Sequence, residues 1–190
     1  MFIMQRVVEA IKELNKRCLN IRAIETGTIR SYHEKHESTK YIAKTLGNNG
    51  SLISVDINPK SIEISRKICA GLNNITWVES DSISYLKKVD VKFDFVLLDS
   101  KNDDITIWNE FCAVFPKINV DGILIVDDAG IRLDGKGIDK SAARKGHLVW
   151  SKLKDKVMIK VLDTPHGSQL RVDFSSDNIK KIRSEIKEIS

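Results

Sequence analysis

The chain has no apolar run long enough to span a membrane, and its opening Met1-Phe-Ile-Met4 gives way at once to charged residues. Neither a transmembrane segment nor the apolar core of a signal peptide is read there, so a cytoplasmic protein with no membrane partner is expected. Cysteine is scarce: Cys18, Cys69 and Cys112 are odd in number and lack C-x-x-C spacing. A disulfide framework or a cysteine metal site is thereby disfavoured against reduced, partly buried thiols. Two glycine signatures are also missing. Without G-x-G-x-x-G there is no dinucleotide fingerprint, and without G-x-x-x-x-G-K-[ST] there is no P-loop. Internal repeats are absent too, and no composition shift marks a second domain.

What is present suits one domain spanning 1–190. A chain of 190 residues with 42% hydrophobic content can bury a full core. The formal net charge is +5, but the densest basic runs, Lys152 to Lys160 and Lys180 to Lys187, alternate with apolar or acidic residues. That pattern fits solvated faces better than a nucleic-acid stripe, while a basic surface still favours anionic small molecules.

Strand and helix signals alternate along the chain. Strands are expected at 21–26, 51–57, 75–80, 93–99 and 122–127, with helices near 38–46, 59–71, 81–88, 104–115 and 140–154. Such alternation implies an α/β, Rossmann-like doubly wound sheet, parallel through its first five strands. Val157 to Asp163 and Gln169 to Phe174 are joined by a link too short for a helical crossover, so they must pair antiparallel. Val7, Val8, Ile11 and Leu14 recur at helical spacing within an N-terminal helix (1–18), a stripe that needs cover from the sheet or from a second subunit of a homodimer. The polar tail 175–190 carries Ile179, Ile182, Ile186 and Ile189, which suit either a docking helix or a frayed end.

The most informative stretch runs from Ile21 to Asp56. A strand ends in Glu25-Thr-Gly-Thr28, and the next strand ends in Asp56. Gly27 admits close backbone approach to a ligand, and an acid ending the second strand can accept two ribose hydroxyl bonds. One glycine beside Glu25 suggests a nucleoside ligand with no pyrophosphate to cradle. Glu25 in a buried strand is costly unless hydrogen bonds or a cationic ligand satisfy it. Asp81-Ser82 fits adenine recognition and a helix N-cap equally.

With an E-x-G-x stretch after the first strand, an acid after the second, a polar pair after the third and Asp99 after the fourth, the chain resembles class I S-adenosylmethionine-dependent methyltransferases from about Ile21 to Phe174. The resemblance implies a seventh strand inserted between the fifth and sixth, and S-adenosyl-L-methionine as cofactor. It implies contacts from Glu25, Thr26, Gly27, Thr28, Ser31 and Thr39 on one side. Asp56, Ile57, Asp81, Ser82 and Asp99 would supply the other.

Asp99 and the pair Asp127-Asp128 close neighbouring strands, so three carboxylates should converge. Unneutralised they repel one another, and Mg2+ or another divalent ion with a partial protein shell removes that penalty. The alternative is that Asp99 touches cofactor while the pair caps a loop. The cluster resembles metal-dependent O-methyltransferases of the catechol and caffeoyl-CoA type, and the cephalosporin-hydroxylase-like group. In the catechol type the fifth strand carries Asp-Asn, here Asp127-Asp128, and a Lys stands three residues after the first Asp, here Asn102. Lys101 and His147 are then the candidate bases beside Asp99.

Ile29 to Glu37 is a long polar loop in which Arg30, Tyr32, His33 and His36 could meet ligand, before Ser38-Thr39 cap a helix. Gly130 to His147 reads as a lid or a plain surface loop, where Lys136, Arg144 or His147 could meet an anionic substrate. The activity implied is methyl transfer to a hydroxyl of a small acceptor, anionic or sugar-like among the options. Two rivals stay open: a metal-independent enzyme acting on nitrogen or nucleic acid, and a non-catalytic cofactor-binding module. The Asn/Asp-Pro-Pro-Tyr stretch of amino-methylating nucleic-acid enzymes is absent, so a nucleic-acid partner is disfavoured.

Overall fold

Seven strands form one sheet of order β3-β2-β1-β4-β5-β7-β6. They are β1 (Ile21–Thr26), β2 (Gly50–Asp56), β3 (Ile75–Glu79), β4 (Phe93–Leu98), β5 (Ile118–Val126), β6 (Ile159–Thr164) and β7 (Gly167–Asp173). The computed structural model describes residues 4–31, 37–139, 144–165 and 167–189. β1 to β5 pair in parallel, and β7 runs antiparallel to both β5 and β6, so the inserted hairpin strand is as expected. The helices are α1 (Gln5–Asn15), α2 (Ser38–Leu46), α3 (Pro59–Ile68), α4 (Ser82–Lys88), α5 (Asp104–Val114), α6 (His147–Leu153) and α7 (Ser176–Ile189).

The continuous apolar runs of β4 and β5 alternate between two cores, as strands covered on both faces must. Phe95, Leu97, Ile123 and Ile125 face α1 and α2, whereas Val96, Leu98, Leu124 and Val126 face α5, α6 and α7. Val7, Ile11 and Leu14 are fully buried in the first of these cores. Each such side chain contributes up to about 1.5–3 kcal/mol. Arg171 of β7 bonds Glu13 at 2.7 Å, which ties α1 down further. The stripe therefore needs no second subunit to cover it, and that argument for a dimer falls away.

Several boundaries move. β5 starts four residues ahead of the expected 122, because the chain turns through Asp121 (φ 65°) and re-registers against β4 between Phe93 and Phe95. The tail from 175 is a docked helix, its Ile182 buried and Ile179 and Ile186 packed on the core. The helix expected near 140–154 begins only at His147, while 140–143 lie outside the described residues. Among the described residues, no helix is long and apolar enough to cross a membrane.

Candidate active site

The strand order reverses between β1 and β4, and a crevice opens there at the carboxyl ends of the strands. A cleft of about 360 Å³ lies at this edge, walled by Gly27, Asp56, Ile57, Asp81, Ser82, Ile83, Ser100 and Lys101 among others. Asp56 Oδ2 accepts the Thr28 amide at 3.0 Å and Oδ1 accepts the Asn58 amide at 2.8 Å. Two loops thus fix the carboxylate of a residue that lines the cleft. Exposed Ile57, at 69% accessibility, and Ile83 offer apolar surface to a base. Ile83 escaped the sequence reading because nothing in its helix pattern separates it from a core position.

Gly27 is required by the protein's own backbone. Its φ is 82°, and a Cβ there would stand 2.6 Å from the Asp99 carbonyl oxygen. Asp81 accepts the Ser84 amide at 2.8 Å as the N-cap of α4, which holds its carboxyl below the usual range, and it lines the cleft as well. The N-cap reading of that residue holds, and its place in the lining keeps it beside any ligand of the cleft.

Glu25, Thr26, Thr28, Ser31 and Thr39 stand outside the cleft lining. Glu25 is fully buried and accepts the hydroxyls of Ser38 at 3.1 Å and Ser54 at 2.7 Å. Burial pushes its carboxyl up to about 7 against those hydrogen bonds. The Ser38 hydroxyl, expected to cap α2, serves Glu25 instead, and α2 has no side-chain cap. Thr28 Oγ1 meets Thr39 at 3.0 Å and Ser65 at 2.7 Å, so these hydroxyls form a layer behind the cleft. On the other side of β1, Thr26 Oγ1 donates to buried Glu110 at 2.9 Å, and Ser82 donates to the same carboxyl. Desolvation pushes Glu110 upward. Its signal was present: within α5 it lies three residues after Ile107 and four before Val114, an acid on an apolar stripe.

At the ends of β4 and β5, the carboxylate oxygens of Asp99, Asp127 and Asp128 lie within 4.8 Å of one another. Asp128 has a left-handed backbone, φ 43°, a conformation that Asp and Asn tolerate better than other side chains. Buried Gln169 of β7 donates from Nε2 to Asp127 Oδ1 at 2.7 Å, and its Oε1 has no hydrogen-bond partner. Burial first, then the charges of Asp99 and Asp128, push Asp127 up to about 7.

A lysine that the sequence reading passed over completes the cluster. Lys145 is 2% exposed, and its Nζ donates to Asp99 Oδ1 and, at 3.3 Å, to Asp128 Oδ2. Burial would lower its pKa, but Asp99 and Asp128 outweigh that and hold the ammonium above its ordinary value. Backbone packing puts it there. A Cβ on Gly146 would stand 2.7 Å from Ala129 Cβ, the Gly146 amide donates to the Ala129 carbonyl at 3.0 Å, and His147 Nε2 pairs with the Gly130 carbonyl at 2.9 Å. His147 is therefore buried, with one ring nitrogen engaged by the backbone next to its neighbour. Lys101 is exposed and pairs with Asp103 at 3.1 Å. Each expected base thus has a partner of its own, and the cation that meets Asp99 comes from before α6.

Arg30 crosses the end of β4, donating to the carbonyls of Asp99 at 3.1 Å and Ser100 at 3.0 Å. Tyr32, His33 and His36 lie outside the described residues. Lys136 is exposed in a short turn between Ile131 and Ile138, which form a single antiparallel bridge, and Arg144 is exposed. Residues 131–138 thus form a short turn closed by that bridge, and 140–143 lie outside the described residues.

Residues 37–129 match the family model described as a methyltransferase domain. No curated protein matches the chain in sequence. Among solved structures, the chain is similar to an rRNA-methylase candidate from Clostridium thermocellum, at 16% identity and TM-score 0.66, over 93% of this chain and 98% of that one. It is similar to the O-methyltransferase TomG from Streptomyces achromogenes, solved in complex with SAM, at 15% identity and TM-score 0.63, over 90% and 80% of the two chains. The N-methyltransferase NodS from Bradyrhizobium japonicum gives 12% identity and TM-score 0.58 over 90% and 93%. These likenesses establish the fold and span three kinds of acceptor. The family match over residues 37–129 and the strand order agree: the chain is similar to methyltransferases in that segment and in fold.

Proposed function

We propose that this chain transfers the methyl group of S-adenosylmethionine to a hydroxyl of a small acceptor, assisted by a divalent cation such as Mg2+. The observation that carries this reading is adjacency: the Asp56 cleft ends at Ser100 and Lys101, and the three-carboxylate cluster begins at Asp99.

The cleft suits the cofactor's nucleoside. Asp56 binds ribose hydroxyls, Ile57 and Ile83 flank the base, and Ser82 and Asp81 offer polar atoms at its edge. The donor set also suits a hard cation: all three ligands are carboxylate oxygens. With Lys145 counted, the four side chains carry a formal charge of −2, and the unpaired Gln169 Oε1 could accept from a metal-bound water. A bound divalent ion would lower the pKa of an acceptor hydroxyl. Transfer is an in-line displacement in which the new O–C bond forms as the S–C bond breaks, so the chain's contribution is mainly to position acceptor against methyl.

The test is a cofactor-dependent screen of catechols, sugars, anionic metabolites and RNA by mass spectrometry, with Mg2+ or with chelator. Methylation of a hydroxyl that chelator abolishes and Mg2+ restores is expected. Turnover that survives thorough chelation sinks the metal assignment, and methylation of RNA or an amine alone sinks the acceptor class.

A further inference from the structure

We propose that the Lys145 ammonium is the resident cation of the Asp99, Asp127, Asp128 cluster, and that a divalent ion enters only by displacing it. This rests on the metal reading above and adds the competitor that such an ion meets.

Geometry carries the proposal. Nζ of Lys145 contacts two of the three carboxylates whose oxygens gather within 4.8 Å, so it takes the space a bound ion would need. The side chain is 2% exposed, and Asp99 and Asp128 are its two ion-pair partners, which means the cluster is what offsets the cost of burying that charge. An ammonium and a divalent ion about 4 Å apart repel strongly enough to change ion affinity at least tenfold, even with substantial screening. The lysine stem is flexible, while Gly146 and His147 hold the backbone at its root. Displacement therefore needs a change of side-chain rotamer and no rearrangement of the fold. Gln169 adds an independent sign, since its buried Oε1 stays unpaired with Lys145 in place. Water on an entering ion would bring the missing donor.

The experiment titrates the whole chain, without cofactor, with Mn2+ alone, following free ion by electron paramagnetic resonance and stability by thermal melting. Lys145→Met should bind Mn2+ at least about tenfold more tightly than wild type, and Mn2+ should raise its melting temperature far more. Adding Asp127→Asn should abolish both gains, which assigns the ion to the cluster. Equal or weaker binding by Lys145→Met overturns the proposal, as does a gain that survives Asp127→Asn. Lys145→Gln carries the same comparison should the methionine variant fail to fold. Failure of the parent reading looks different: chelator-resistant methyl transfer removes the metal from catalysis but leaves a tenfold affinity difference in the resting protein standing.

Discussion

Thr26 at the end of β1 and Glu110 on α5 share a 2.9 Å hydrogen bond between fully buried side chains, and the Ser82 hydroxyl closes on the same carboxyl. One acid thereby ties the strand end behind the cleft to the helix start that walls it. Glu110→Ala should leave two hydroxyls short of a partner, lowering stability by about 1–3 kcal/mol and weakening S-adenosylhomocysteine binding. Glu110→Gln, which keeps an acceptor oxygen, should recover part of each. Urea unfolding and calorimetry measure the two effects; unchanged cofactor affinity in the alanine variant would rule out a positioning role.

Asp56→Ala is expected to cost cofactor affinity by about 1–3 kcal/mol, the range for lost hydrogen bonds to a charged acceptor. The Thr28 and Asn58 amides also lose their acceptor, so part of the loss should come from loop order. Calorimetry with S-adenosylhomocysteine on Asp56→Asn and Asp56→Ala separates these, because asparagine retains one acceptor oxygen. Wild-type affinity in both variants would remove Asp56 from the ribose site.

Glu25 imposes a pH dependence whose sign is fixed by its raised pKa, about 7 in the fold against 4.5 for an ordinary glutamate. The folded chain holds that proton more tightly than the unfolded chain, so this group favours folding most at low pH and loses its effect as pH rises from about 4.5 to about 7. The integrated penalty is on the order of 3 kcal/mol. Comparing urea unfolding at about pH 5 and about pH 8, Glu25→Gln should flatten the decline seen in wild type. An identical decline in both proteins would contradict the assignment.

Gly146→Ala should destabilise the fold by about 1–3 kcal/mol, since the added methyl meets Ala129 Cβ at 2.7 Å and Leu170 Cδ1 at 2.8 Å. Backbone strain is not the cause, because φ at Gly146 is −88°. The same shift should move Lys145 off Asp99 and loosen its ion pair. Denaturation curves that superimpose on wild type would show that the segment yields freely.

Part of the cleft was legible in the sequence because its signals are local. Gly27, Asp56 and Asp81 sit at strand ends whose period and terminating residues announce themselves, whereas Glu25, read with them, is buried behind the lining. The carboxylate cluster was legible for the same reason, as Asp99 and Asp127 each end an apolar strand. Lys145 and Gln169 reach the cluster from 46 and 42 residues away along the chain, from Asp99 and Asp127 respectively, and no periodicity encodes such a meeting. The α1 stripe shows the limit of pattern from another side: helical spacing says that Val7, Ile11 and Leu14 are covered, but not by what. Ser38, placed to cap α2, was drawn off by an acid on a neighbouring strand, a tertiary demand that outranks a local one.

The left-handed backbone at Asp128 makes that position a charge dial with a fixed mount. Aspartate and asparagine are the two side chains best suited to φ 43°, so exchanging them alters the cluster by one formal charge with little change in chain path. Three carboxylates and one ammonium sum to a formal −2 at this cluster. Asp128 and Lys145 can thus be exchanged for asparagine and a neutral residue as a pair, conserving the field at the cluster. Changing either one alone shifts that field by a full unit.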